Sequence, residues 1–164
     1  MLHLLQELQI GGTRMTEILF YHLQRQPIER VLPALLEKSL ERGWRVVVQA
    51  ASEERLEAID AHLWTFRDDA FLPHGVWRDP QAREQPILLT VNDDNPNKAS
   101  VRFLVDGAAV PSDAVAYERI VLLFDGEDPD ALATARARWQ EAKENGFAVT
   151  YWQTDEQGRW QRKA

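Results

Sequence analysis

Four histidines, His3, His22, His62 and His74, are the side chains best suited to ligate a metal or move a proton near neutral pH. None has the partner four residues along that a metalloprotease helix needs. His62 and His74 stand twelve positions apart with Asp68 and Asp69 between them, a spacing that a metal could bridge. The plainer reading is a loop of solvated carboxylates in which His74 bonds its own backbone. Asp93-Asp94 and the run Asp125, Glu127, Asp128, Asp130 invite the same question. Short acids at turns and helix starts usually accept backbone N–H bonds instead. The absence of cysteine removes thiolate metal sites and a Cys nucleophile. No G-x-S-x-G elbow is present either. The sequence therefore points to no catalytic residue, no metal and no cofactor.

Two stretches carry recognition chemistry instead. In residues 130–145, DALATARARWQEAKEN, helical spacing gathers Ala131, Ala135 and Ala142 on one side, suited to lying close on a sheet. Leu132, Arg136, Trp139 and Lys143 share the adjacent stripe. An indole beside two cations offers a flat contact and a guanidinium fork for a carboxylate, which suits an acidic peptide with an apolar residue. The alternative is a partly buried Trp139 with both cations stretched over it. The second stretch is LWTFRDDAFLPHG, residues 63–75. If Leu56, Ile59 and Leu63 face a core, Trp64 lies on the flank of its helix, and Phe66, Phe71 and Leu72 continue beyond it. Such clustering suits either core closure or a protein dock with aromatic anchors. Pro73 and Gly75 would fix the loop.

These side chains need a scaffold, and the pattern supplies one. Strands are expected at Glu17–Leu23, Trp44–Ala50, Pro86–Asn92, Val101–Val105 and Arg119–Phe124, several as continuous apolar runs of the kind covered on both faces. Helices are expected over Glu29–Glu41, stopped by Gly43, and after Ser52. A last helix is opened by Asp128-Pro129 and ended by Gly146. Phe147–Gln153 and Arg159–Arg162 form a final pair around residues 155–158. Strands alternating with helices predict an α/β fold: one mostly parallel sheet flanked by helices, similar to nucleotide-binding folds. The first strand runs into QRQPIER, which has no glycine. Backbone amides there cannot close on a pyrophosphate, so no phosphate-binding loop is expected.

The chain of 164 residues, 45% apolar and 27% charged, is the size of one domain. Residues 15–164 are read as that domain, and residues 1–14 as an N-terminal extension without the marks of a signal peptide. No apolar run reaches the roughly 20 residues that span a bilayer. A net charge of −7 disfavours a nucleic-acid sleeve. The lack of cysteine fits a reducing cytoplasm, the expected location, with no membrane involved.

From Met15 to about Trp152 the sequence resembles the chi subunit of bacterial DNA polymerase III holoenzyme. The likeness is carried by TEILFYHL, by the helix ending at Gly43 before WRVVVQA, and by Leu63-Trp64 with FLPHG at 71–75. The terminal helix ending at Gly146-Phe147 completes it. The resemblance implies a non-catalytic accessory subunit of the clamp-loader assembly, touching DNA only indirectly. It implies a grip on the acidic C-terminal tail of single-stranded-DNA-binding protein through Leu132, Arg136, Trp139, Gln140 and Lys143. It further implies docking of the psi subunit, or of another clamp-loader protein, at Trp64, Phe71, Pro73 and His74, with His74 structural. Two departures stand out: the family often has tyrosine where Trp139 stands and lysine where Gln140 stands. The first keeps a flat surface, and the second removes a cation. Two other readings compete. One is a small-molecule or nucleotide-binding α/β protein with a site where strand order reverses. The other is direct single-strand binding through Trp139, Arg136 and Arg138, which the net charge disfavours.

Overall fold

The computed structural model describes residues 16–67 and 71–164. The extension expected over residues 1–14 lies outside them, as do Asp68 and Asp69. Eight strands form a single sheet in the order β3-β4-β2-β5-β6-β1-β7-β8. They are β1 (Glu17–Leu23), β2 (Val46–Gln49), β3 (Gly75–Val76), β4 (Ile87–Thr90), β5 (Val101–Val105), β6 (Arg119–Asp125), β7 (Ala148–Thr154) and β8 (Trp160–Arg162). Every neighbouring pair is parallel except β7 and β8, which close the sheet as an antiparallel edge. Among the described residues three α-helices flank it: α1 (Ile28–Glu41), α2 (Glu53–Thr65) and α3 (Pro129–Glu144). The expected mostly parallel α/β architecture is the one observed.

Burial explains why the central strands lack polar alternation. Each central strand feeds two cores, one on each face of the sheet. On one face Leu19, Val46, Val48, Ile87 and Leu89 pack with Leu32 and Leu36 of α1 and Leu56, Ile59 and Leu63 of α2. On the other, Ile18, Phe20, Val47, Leu88 and Leu122 pack with Ala135 and Ala142 of α3. Those small residues let α3 lie low over β1, β6 and β7.

Helix ends follow backbone chemistry. Gly43 and Gly146 adopt φ of +80° and +84°, a region that costs a side chain energy. After α1 the amides of Gly43 and Trp44 turn back to the carbonyls of Leu40 and Ser39. After α3 those of Gly146 and Phe147 turn back to Lys143 and Ala142. Ser52 accepts from the Arg55 amide at the start of α2, and Asp128 accepts from the amides of Asp130 and Ala131 at the start of α3.

Candidate functional site

The α3 stripe is arranged as its spacing predicts. Trp139 is half-buried and meets Phe20 of β1 edge-on at 5.3 Å and Tyr151 of β7 at 5.8 Å. One indole edge is thus core and the other is surface. Lys143 Nζ lies 5.8 Å from the Trp139 ring. Arg136 is exposed one turn earlier, and Leu132 is half-buried one turn before that. Among the described residues, neither Arg136 nor Lys143 forms an ion pair, whereas Arg138 is held by Glu141 at 3.6 Å. Gln140 is exposed and donates to Glu144 at 3.2 Å. The stretched-cation alternative therefore holds for the half-buried Trp139 and for Lys143 over its ring, while Arg136 is exposed.

The Arg136 charge also reaches two groups that spacing did not single out, His22 of β1 and Tyr151. These two are joined by a 2.7 Å hydrogen bond between His22 Nδ1 and the Tyr151 hydroxyl. Burial lowers the His22 pKa, with Asp125 opposing and Arg136 adding to the effect. Burial raises the Tyr151 pKa, with Arg136 opposing.

The stretch from Leu63 to Gly75 divides between core and surface. Leu63, Leu72 and His74 are buried. His74 Nδ1 lies 2.7 Å from the Leu72 carbonyl, the backbone bond expected of it, and Nε2 lies 3.0 Å from Asp60. With both ring nitrogens engaged, His74 clamps the loop to α2. Pro73 is half-buried. Trp64 and Phe71 remain 54% and 66% exposed, with ring centroids 5.8 Å apart. Trp64 also rests on the His74 ring at 4.6 Å. Core closure uses Leu63, Leu72 and His74 and leaves the Trp64–Phe71 pair exposed beside them.

Of the remaining candidates, Asp128 caps α3, and His3 lies outside the described residues. Asp125 accepts the Glu127 amide, and His62 meets the Glu29 carbonyl at 2.6 Å. No metal-ligand cluster exists among the described residues, and no helix there is long and apolar enough to cross a membrane. A crevice of about 770 Å³ opens at the carboxyl ends of β1, β5 and β6, where strand order reverses. Its lining carries Glu29, Asp106, Asp125, Glu127, Asp128 and Asp130 against Arg25, Arg55 and Arg138, so acids outnumber bases two to one. Arg55 and Arg138 are already tied to Asp106 at 3.0 Å and Glu141 at 3.6 Å. An acidic lining repels phosphate, so the geometry gives nucleotide binding no support there.

Fold and side-chain placement define an α/β protein of one mostly parallel sheet that displays two aromatic surfaces, one bordered by unpaired cations. The chain belongs to the family described as "DNA polymerase III chi subunit, HolC", whose profile matches residues 15–150. It is 27% identical over 121 residues to a probable DNA polymerase III subunit chi of Rickettsia prowazekii, covering 68% of this chain and 71% of the relative. It is also 27% identical over 138 residues to the DNA polymerase III subunit chi of Pseudomonas aeruginosa, covering 82% and 94%. Membership makes it a subunit of a replication polymerase.

Proposed function

We propose that this protein is a non-catalytic adaptor linking the clamp loader to single-stranded-DNA-binding protein, whose acidic C-terminal tail it holds on α3. Arg136 takes the terminal carboxylate, and Trp139 with Leu132 takes the apolar side chain before it. Lys143 faces the acidic residues upstream, and Gln140 borders the same stripe. The observation that carries this reading is the pair of unneutralised cations, Arg136 and Lys143, flanking a half-buried indole on a chain of net charge −7. Trp64 and Phe71, braced by Pro73 and His74, are the dock for the psi subunit or another clamp-loader protein. The protein works in the cytoplasm and meets DNA through its partners.

Calorimetric titration with an acidic peptide ending in an apolar residue tests the tail site. The free-acid peptide should bind with micromolar-class affinity, on the order of −8 kcal/mol. Amidating its C-terminus or introducing Arg136→Ala should weaken binding at least about tenfold, since each removes a charge-assisted hydrogen bond. Added salt should weaken it further by screening partly exposed charges. If neither change alters the affinity, carboxylate capture is wrong.

A further inference from the structure

The His22–Tyr151 pair has an orientation that can be derived. His22 Nε2 is buried and has no hydrogen-bond partner. The ring edge is wedged against Gly126, in the loop between β6 and α3, so closely that a Cβ at Gly126 would lie 1.8 Å from Nε2. Burial holds the ring below its ordinary pKa, so near neutral pH it carries a single proton. A buried N–H without a partner is rarer in proteins than a buried acceptor without one. Nε2 lies against Gly126 and meets no acceptor, so the proton belongs on Nδ1. That N–H then donates to the Tyr151 oxygen across the 2.7 Å bond. The hydroxyl keeps its own hydrogen, free to donate elsewhere. Tyr151 is half-buried, packs against the Trp139 indole and feels the Arg136 charge.

We propose that Tyr151 is a second donor to the carboxylate captured by Arg136, with His22 as the positioning residue that turns its hydroxyl hydrogen outward. This rests on the tail-capture reading and assigns the site its selectivity for a free C-terminus. A lone guanidinium attracts any anion. A guanidinium from α3 together with a hydroxyl from β7 would supply a donor to each oxygen of one carboxylate, and an amide NH2 in place of one oxygen would face a donor and lose that bond.

The test titrates free-acid and amidated forms of one acidic peptide into the full chain and its variants. Tyr151→Phe should weaken the free acid roughly tenfold, the lower end for a hydrogen bond to a charged group. It should leave the amide nearly unchanged, so the acid-to-amide ratio falls. His22→Asn, whose side-chain amide places an N–H near the Nδ1 position, should keep most of that ratio, and His22→Leu should lose it. Imidazole nitrogen shifts should show Nε2 without hydrogen. If Tyr151→Phe keeps the ratio while Arg136→Ala abolishes it, the second-donor assignment falls and tail capture survives. An equal loss for both peptides, or a hydrogen on Nε2, also overturns the assignment. A ratio indifferent to both substitutions overturns tail capture and this inference together.

Discussion

His22 should leave a mark on stability as well as on binding. Its folded pKa lies below the ordinary 6.5 because burial disfavours the charged ring, and the Arg136 charge adds to that against Asp125. Below 6.5 the unfolded chain therefore binds more protons at this residue than the folded one does. The stabilising contribution is complete above about pH 6.5 and is lost as pH falls through the folded value. Urea midpoints should drop between about pH 7.5 and about pH 5.5, and His22→Asn should flatten part of that drop. Matching pH profiles in wild type and variant would remove the buried neutral ring from the account. Residue by residue, the legibility of the site depended on distance along the chain. Leu132, Arg136, Trp139 and Lys143 lie within one helix, so their spacing predicted their common stripe. His22 and Tyr151 are 129 residues apart and meet only because β1 pairs with β7. No local pattern holds that information.

Elements with a strong periodic or capping signal were readable in advance, including all three helices and the glycine stops at Gly43 and Gly146. β3 was not. It is two residues long, Gly75–Val76, inside the loop after His74, and its existence rests on pairing with β4 rather than on any run of β-formers. Strand order was illegible for the same reason. β5 hides a different surprise: Arg102 is fully buried in a strand that reads as apolar. Among the described residues its guanidinium has no carboxylate partner. It donates instead to the Gln49 side chain, the Tyr117 hydroxyl and the carbonyls of Asn92 and Asp94. Neutral acceptors thus hold the charge, and the charge fixes the turn after β4 against the edges of β2 and β5. Arg102→Ala would leave several acceptors unmet and open a void, so it should cost about 3 kcal/mol or more in denaturant unfolding. Tail binding by the folded fraction should be unaffected, because α3 lies across other strands. A loss under about 1 kcal/mol would mean that water replaces the guanidinium readily.

At the scale of the molecule, the sheet separates the two surfaces. α2 packs over β4, near one edge, while α3 packs over β6, β1 and β7 on the opposite face. With four strand spacings between β4 and β1, the lateral offset is about 20 Å at roughly 4.8 Å per spacing. The thickness of the sheet adds to it. No described side chain of the Trp64–Phe71 pair touches the α3 stripe, and the cores between them are close-packed parallel strands. Substitutions that far apart without shared partners behave additively to within a few tenths of a kcal/mol. Trp64→Ala should therefore leave the affinity for the acidic peptide within about twofold of wild type, and the double variant with Arg136→Ala should bind it no worse than Arg136→Ala alone. In pull-downs from the source cell, Trp64→Ala should release one partner and Arg136→Ala another, each keeping what the other loses. An adaptor needs this independence, since a chain that released one partner on meeting the second could not join them. If Trp64→Ala weakened the peptide as much as Arg136→Ala does, the two surfaces would be one coupled site, and the protein would be a switch between partners instead of a bridge.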